Sequence, residues 1–504
     1  MLFLSLWAGA LLLTATHARA EDDRKDIIRI ASDSVIYTLD PIRSVWTGSI
    51  EAYGQLYSRL LRRDLEHQLQ PGLAERWDIS TDGLTYTFYL REAHFSNGKR
   101  ITASDVAFSL LRMRDHPEAA MSNLVTDIAT IDVVDDLTVR INLAQPNTPF
   151  LASMESCFLG IVSREDVEAR GEVAAFQENP VSSGPYRVGL WKPNQRLVLE
   201  PNPYYWREGF PRNDGAIMIE GADTYTRLSQ LLTGEIDAAR GLSWSQLDKI
   251  DAEPAIESPH EPATRITVIL LNHALPPFND LRVRQAAALA IDRKALGRAL
   301  MRGRGELANT TLPKTLLYHD ADYPGWGYDL DRARQLVIDA GAVGQEARIN
   351  IIPEPYSEFI ALVLQAQWSA IGLETKIIKM DQGQLEDALE AGAYNADINW
   401  WYDDVGDPDQ AARWAVCGSC GNRSYYTNYH NPEVDRLVAQ GARESDPEIR
   451  REIYRKVQAI STEEVAQIPL FYPPWVNAYS RSIEGLRMTP ALQWTLEHAR
   501  HVDD

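Results

Sequence analysis

The chain has 504 residues, which exceeds what a single hydrophobic core usually serves, so its length predicts two or three domains. Its 45% apolar and 24% charged residues are ordinary for a globular protein in water, and its formal net charge at pH 7 is −21. Lys and Arg are scattered rather than clustered, which argues against a nucleic-acid partner, because phosphate binding needs a basic face.

The first 20 residues have the pattern of a secretory signal peptide. An apolar run over residues 2–13 precedes Ala18-Arg19-Ala20, which fits an A-x-A cleavage site, and acidic Glu21 follows. The run is too short to span a bilayer stably. No Lys or Arg precedes it, so either the true start lies upstream or the signal is an unusual one. The segment predicts export to the periplasm.

The first part of the mature chain alternates strand and helix patterns. Residues 27–31 predict a strand, and residues 50–62 carry apolar side chains at helical spacing. Residues 84–91 alternate as a half-buried strand does. Thr102 predicts the N-cap of a helix that ends near Arg112.

Residues 400–409 combine three aromatic side chains with four carboxylates. A strand-like run over residues 395–402 ends at a cluster of Gly, Asp and Pro that predicts a turn, so Trp400, Trp401 and Tyr402 lie next to carboxylates at one edge. A desolvated carboxylate facing an ammonium group makes a hydrogen bond worth about 1.5–3 kcal/mol. The stretch therefore predicts one wall of a site for a polar, cationic ligand. A solvated acidic turn beside core tryptophans is the alternative.

Three cysteines, Cys157, Cys417 and Cys420, cannot all pair within one chain. In an oxidising compartment, Cys417 and Cys420 predict a short-loop disulfide, which leaves Cys157 as a buried thiol. A thioredoxin-like redox site at the same two cysteines is the alternative. Gly418 and Gly421 favour a loop over the helix that such a site opens.

The sequence lacks the local motifs of several enzyme classes. It has no Gly-x-Ser-x-Gly elbow, no His-Glu-x-x-His and no Walker A loop, which argues against a serine hydrolase, a zinc protease and an NTPase. The carboxylates of residues 403–409 lack EF-hand spacing. His498 and His501 are interpreted as part of a solvated tail rather than as metal ligands. No metal and no cofactor is expected.

Short motifs spread over most of the chain follow one another in a characteristic order. They are Leu73-Ala74-Glu75, Asp82-Gly83-Leu84-Thr85-Tyr86, Asn97-Gly98, Thr102-Ala103-Ser104-Asp105-Val106, Ser183-Gly184-Pro185-Tyr186, Asn202-Pro203-Tyr204-Tyr205-Trp206, residues 232–237, residues 282–293 and Ile468-Pro469-Leu470-Phe471-Tyr472. In residues and spacing this set resembles bacterial extracellular solute-binding proteins of family 5, the dipeptide, oligopeptide and nickel receptors of ABC importers.

The resemblance implies an α/β fold of two lobes, the large peptide-binding class of the type II periplasmic-binding-protein fold, with a subdomain inserted in the first lobe. The expected ranges are 21–65, 182–272 and 475–504 for the first lobe, 66–181 for the insert and 273–474 for the second lobe. Pro276-Pro277 and Pro473-Pro474 fit crossings between the lobes, because paired prolines stiffen a connection without joining a sheet.

The resemblance also implies roles for single residues. Peptide binders of the family carry an Asp, ahead of an Asn-Gly-Asp-Pro-Asp-like turn, that takes the ligand's α-ammonium group, and this position falls on Asp404. Trp401 matches an aromatic residue that lines the cleft. The expected ligand-binding set is Trp400, Trp401, Tyr402, Asp404, Glu354 and Tyr356.

One position departs from the dipeptide binders of the family. They carry an arginine for the ligand carboxylate just before a Pro-Tyr pair, whereas Glu354 precedes Pro355 and Tyr356 here. A carboxylate at this position favours a cationic ligand or a longer peptide whose end lies elsewhere. An exposed loop residue is the alternative for Glu354.

The implied function is capture without catalysis. Two lobes close over a peptide-class solute, and permease subunits of an ABC importer, with their ATPases on the cytoplasmic side, recognise the closed form. The protein is expected to be a monomeric periplasmic receptor. A receptor of the same fold for an opine, amino sugar, oligosaccharide or metal chelate is the first alternative, and an exported thiol-redox protein is the second.

Overall fold

A computed structural model describes residues 26–64, 68–177, 179–403, 405–420 and 426–502. The expected signal peptide, residues 1–20, lies outside these ranges. Among the described helices, no stretch has both the length and the hydropathy needed to cross a bilayer.

Strands and helices alternate along much of the chain, as the expected α/β class requires. The strands are β1 (Ile27–Ala31), β2 (Leu61–Arg63), β3 (Leu69–Pro71), β4 (Ala74–Ile79), β5 (Thr85–Leu90), β6 (Ile128–Asp135), β7 (Thr138–Leu143), β8 (Tyr186–Lys192), β9 (Arg196–Pro201), β10 (Gly215–Ile219), β11 (Ala238–Ala239), β12 (Ile256–Glu257), β13 (Arg265–Leu271), β14 (Glu306–Leu307), β15 (Glu346–Ile351), β16 (Glu374–Lys379), β17 (Ala396–Tyr402), β18 (Ile468–Tyr472), β19 (Ala478–Ser480), β20 (Ile483–Glu484) and β21 (Arg500–His501). The α-helices are α1 (Thr47–Leu56), α2 (Ala103–Asp115), α3 (Phe150–Ser153), α4 (Arg164–Arg170), α5 (Ala174–Gln177), α6 (Thr224–Leu232), α7 (Leu247–Asp251), α8 (Leu281–Leu289), α9 (Arg293–Met301), α10 (Leu330–Asp339), α11 (Pro355–Ala370), α12 (Gln382–Ala391), α13 (Pro408–Ala415), α14 (Pro432–Gly441) and α15 (Pro447–Glu463).

The first lobe is built on a seven-stranded sheet with the order β12-β19-β11-β1-β10-β9-β8. β1 pairs in parallel with β10 and β11, and four of its five residues are buried, because a central parallel strand is covered on both faces. A separate antiparallel sheet, β4-β5-β7-β6, comes wholly from residues 74–143. Helix α2 begins with the expected cap, since Thr102 and Asp105 form a capping box.

The second lobe is built on a six-stranded sheet with the order β14-β18-β13-β17-β15-β16. β13 pairs with β17 along its whole length and also with β18. The change of sheet therefore lies before Arg265, and not at residue 272 as the sequence suggested. Pro276-Pro277 follows β13 within the second lobe, so it does not mark a crossing.

Two chain segments, residues 258–264 and 473–477, connect the sheets. A backbone bridge between Glu261 and Trp475 joins them. The buried Glu261 carboxylate accepts hydrogen bonds from the Tyr479 hydroxyl at 2.7 Å and from Asn477 Nδ2 at 2.9 Å, and burial raises its pKa. These bonds fix the connection between the lobes on the first-lobe side.

A buried carboxylate in the second sheet makes stability depend on pH. Asp397 in β17 is fully buried, its Oδ2 accepts a hydrogen bond from Asn399 at 2.8 Å, and its Oδ1 has no partner among the described residues. Burial raises the pKa of Asp397 from 3.8 to about 7. Between pH 3.8 and about 7, the Asp397 carboxyl is protonated in the folded protein and ionised in the unfolded chain. The free energy of unfolding therefore falls as the pH rises through this range.

Asp397→Asn is therefore expected to stabilise the protein above pH 7, by about 2–4 kcal/mol. Asn matches the shape of the protonated acid and carries no charge to bury. Urea unfolding of both proteins at about pH 4, 6 and 8 measures the difference, which should shrink towards zero at the lowest pH. A difference that stays constant over this range would contradict the buried-charge explanation.

Candidate functional site

The aromatic wall lies where β17 ends, at the edge of the second lobe that faces the first. Trp400 and Tyr402 lie on the same face of the strand, with ring centroids 6.1 Å apart and planes inclined by 21°. The Trp400 side chain is 44% exposed, which is unusual for a tryptophan. The two rings provide a stacked apolar surface that is open to a ligand.

Trp401 points away from this surface. It is 5% exposed, packs in the second-lobe core with Ile266 and Val268, and its Nε1 lies 3.4 Å from Gln467 Oε1. Successive residues of a strand face opposite sides of a sheet, so Trp400 and Trp401 cannot both line one cleft. The cleft role that the resemblance implied for Trp401 is therefore not part of the site proposed below.

The first lobe presents its own exposed aromatic residues opposite Tyr402. The Tyr402 hydroxyl lies 3.5 Å from the backbone oxygen of Val45. Beside Val45, Trp46 is 54% exposed, and its ring centroid lies 5.7 Å from that of Tyr37. Aromatic faces from both lobes thus converge on one position.

A guanidinium group lies in the same cleft. Arg265 is the first residue of β13 and the cross-strand partner of Tyr402. Its guanidinium carbon lies 4.3 Å from the ring centroid of Trp400 and 5.5 Å from that of Trp475. Burial lowers the pKa of Arg265, while Tyr356, Asp33 and Glu354 oppose this effect.

The expected Glu354 and Tyr356 flank the start of α11. Glu354 is the exposed residue that precedes the helix. The Tyr356 hydroxyl lies 3.1 Å from Thr267 Oγ1, and Thr267 is in turn the cross-strand partner of Trp400. Tyr356 therefore lies beside the wall, and Glu354 contributes a negative charge near Arg265.

Asp404 lies outside the described residues, but the residues that flank it in the sequence are held at the lobe interface. The Asp403 backbone N–H donates to Thr264 O at 3.0 Å. Val405 is 2% exposed and packs into the first-lobe core. The Gly406 N–H donates to Glu155 at 3.4 Å, and Arg63 donates to the same Glu155 oxygen at 2.7 Å.

The two later carboxylates of the stretch support the turn. Asp407 caps α13 and is bound by both terminal nitrogens of Arg450, at 2.5 and 2.7 Å. This pairing raises the pKa of Arg450. Asp409 accepts hydrogen bonds from the Tyr454 hydroxyl at 3.1 Å and from Arg413 at 2.5 Å. Both carboxylates are therefore occupied by protein partners.

The cysteine prediction is confirmed by the structure. Cys417 and Cys420 form a disulfide with Cα atoms 5.4 Å apart, in a short 3₁₀ turn that follows α13. Cys417 is fully buried, whereas a redox site needs an accessible sulfur. Cys157 is buried in the first lobe.

Comparison with known proteins decides the family. Residues 68–422 match the family described as bacterial extracellular solute-binding proteins, family 5 Middle, which is well over half of the chain. The chain belongs to solute-binding protein family 5. As a family 5 member it is a binding protein and not an enzyme.

Several known proteins match over most of their length. The glutathione-binding protein GsiB of Escherichia coli K12 is 28% identical over 97% of each chain. The di/tripeptide-binding protein 1 of Pseudomonas aeruginosa is 27% identical over 83% of each chain. The periplasmic binding protein DppA of Helicobacter pylori, in complex with the peptide STSA, superimposes with a TM-score of 0.84 at 23% identity, over 96% of this chain and 100% of the other. The two-lobe fold is thereby established.

The family 5 pattern did not single out Arg265. Its sequence signal is a single charged residue at the start of an otherwise apolar or β-branched strand, residues 265–271. Only the pairing of β13 with β17 shows that this residue lies against Trp400.

Proposed function

We propose that this family 5 protein captures a peptide-class solute in the cleft between its lobes and delivers it to an ABC importer. The observation that carries the proposal is the convergence of exposed aromatic rings from both lobes, Trp46 and Tyr37 on one side and Trp400 and Tyr402 on the other. Such surfaces hold a solute while backbone and charged groups orient it. Relatives named for di/tripeptides and for glutathione support the solute class.

Within this site, Asp404 binds the ammonium group of the solute. The support is its position ahead of the Gly406-Asp407-Pro408 turn, together with flanking residues that are held between the lobes. Glu354 adds a second negative charge at the start of α11. Trp400, Tyr402 and Tyr356 form the wall.

The family and the amino-terminal sequence support a proposal for the physiological setting. The leader over residues 1–20 directs export, and the mature protein acts as a monomer in the periplasm. Its closed form docks on the permease subunits of the importer, whose ATPases drive transport from the cytoplasmic side. Co-expression with candidate permease and ATPase genes of the same organism, followed by peptide uptake, tests the partner assignment.

Isothermal titration of the mature protein with peptides of two to five residues tests the solute class. A 1:1 complex with at least one peptide is expected. Binding of an opine such as octopine, with no response to any peptide, would contradict the proposal.

Trp400→Ala is expected to weaken peptide binding about tenfold, because it removes a stacking face of roughly 1.5 kcal/mol. Trp414→Ala is a matched control, since Trp414 is 42% exposed but lies on α13, outside the cleft wall. Titration of both variants with the best wild-type peptide measures the difference. Equal affinities of the two variants would remove Trp400 from the site.

A further inference from the structure

Arg265 carries a charge at the cleft that has no ion-pair partner among the described residues. Within the part of the chain that the structure describes, its guanidinium has no ion pair and donates no hydrogen bond, and its Nε is buried without an acceptor. A guanidinium carries five N–H donors, and leaving them unpaired in a partly buried position is unfavourable. A buried Nε without an acceptor also occurs at Arg91, so what distinguishes Arg265 is its position against Trp400 and Trp475 at the cleft.

Two other arginines, Arg240 and Arg63, are paired with carboxylates of the protein, as is usual for a structural arginine. Arg240 lies in the first lobe and is paired with Asp33, and its Nε lies 2.9 Å from the Glu51 carboxylate. Arg63 is paired with Glu155 at 2.5 Å. The charges of these two arginines are balanced by carboxylates, whereas Arg265 has no carboxylate partner among the described residues.

The surroundings of Arg265 orient it rather than neutralise it. The indole rings of Trp400 and Trp475 lie 4.3 and 5.5 Å from its guanidinium carbon and hold the planar group by cation–π contact. Glu354 is exposed at the start of α11 and is not within ion-pair distance of Arg265. A planar guanidinium held in this way suits a bidentate contact with a carboxylate.

We infer that Arg265 binds a carboxylate of the solute, so that the transported solute carries a free acid group. The carboxylate-binding arginine that is replaced by Glu354 on α11 is thus supplied by a different element, the first residue of β13. This inference rests on the proposed function, because it places the solute in the same cleft. It narrows the solute class to peptides with a free carboxyl group rather than purely cationic ligands.

The test compares trialanine with trialanine amide by isothermal titration, on wild type and on Arg265→Gln. Wild type is expected to bind trialanine with about 30-fold higher affinity than trialanine amide, because only the free acid can make a charge-assisted bidentate contact with Arg265. Arg265→Gln is expected to bind the acid about 30-fold more weakly and the amide within about threefold of wild type. A wild-type preference for the acid that persists in Arg265→Gln would overturn the inference.

Arg91→Gln provides a matched control. The Arg91 guanidinium lies 4.0 Å over the ring of Trp206 in the first lobe, and its Nε is likewise buried without an acceptor among the described residues. This variant should retain the wild-type preference for the acid. Arg265→Gln should also keep or raise the thermal midpoint, because it removes a buried charge, whereas a structural arginine would lower it.

Failure of the proposed function has a different signature. Wild type would then bind neither form of trialanine while binding a non-peptide acid such as octopine. In that case, loss of octopine binding in Arg265→Gln supports the carboxylate site, and unchanged octopine binding overturns it.

Discussion

Arg450→Met is expected to lower the free energy of unfolding by about 3–5 kcal/mol, because it leaves the Asp407 carboxylate buried without its counter-charge. The side chains of Arg450 and Asp407 are 4% and 6% exposed, and two hydrogen bonds of 2.5 and 2.7 Å join them. Arg450 Nε also donates to the backbone oxygen of Gly441 at 2.8 Å, which ties the turn to the end of α14. Urea denaturation at neutral pH measures the loss.

Arg436→Met is the control for this prediction. Arg436 pairs with Glu433 on the surface of α14, and both side chains are more than half exposed, so its replacement should cost less than about 1 kcal/mol. The double variant Asp407→Asn/Arg450→Met keeps the cap and removes both charges, and it should be more stable than Arg450→Met alone. Equal losses in Arg450→Met and Arg436→Met would show that the buried pair does not stabilise the turn.

Asp404→Asn is expected to weaken binding of a peptide with a free amino terminus by about 100-fold. Removing one member of a desolvated charge pair typically costs about 2–5 kcal/mol, and Asn preserves the size of the side chain. Titration with trialanine and with N-acetyl-trialanine measures the effect. The acetylated peptide lacks the ammonium group, so it should bind wild type weakly and lose little further affinity in the variant.

Asp387→Asn controls for a general change of charge. Asp387 lies on the exposed face of α12, outside the cleft. This variant should bind trialanine as wild type does. If Asp404→Asn bound trialanine with wild-type affinity while Trp400→Ala did not, the cleft would be correct and the ammonium site would be wrong.

The fold could be predicted because its signals are spread along the chain. The ordered motifs from Leu73 to Tyr472 identify the family without any knowledge of packing. Features that depend only on residues close together in the sequence were also predicted correctly. Thr102 caps α2 as expected, and Cys417 and Cys420 are close enough in sequence for their pairing to be inferred.

The ends of helices and strands and the lobe boundary were harder to predict, because they depend on which distant segment each strand pairs with. Residues 50–62 have helical spacing, yet α1 ends at Leu56, and Leu61–Arg63 forms β2 by pairing with β3. The apolar side chains of Leu60 and Leu61 are buried in either arrangement, so periodicity could not distinguish them. The predicted lobe boundary differs from the observed one for the same reason. Only the pairing of β13 with β17 shows that β13 belongs to the sheet of the second lobe.

The structure shows where several of the predicted site residues lie, while their roles in ligand binding stay predictions. Trp400 and Tyr402 lie on one face at the end of β17, as the predicted aromatic wall requires, whereas Asp407 and Asp409 are paired with protein side chains in the turn. Trp401 is buried on the opposite face from Trp400, and its ligand role stays a prediction, because the resemblance assigns a position in the sequence and not a face of the strand. Arg265 is 135 residues before Trp400 in the sequence, and no local pattern brings such distant residues together.

A crystal structure of the mature protein with trialanine tests the central claim most directly. The account predicts that the peptide is enclosed between the two lobes, against Trp400 and Tyr402, with its carboxylate on Arg265 and its ammonium group on Asp404. A peptide bound outside this cleft, or bound within it with its carboxylate on another cation, would contradict the account.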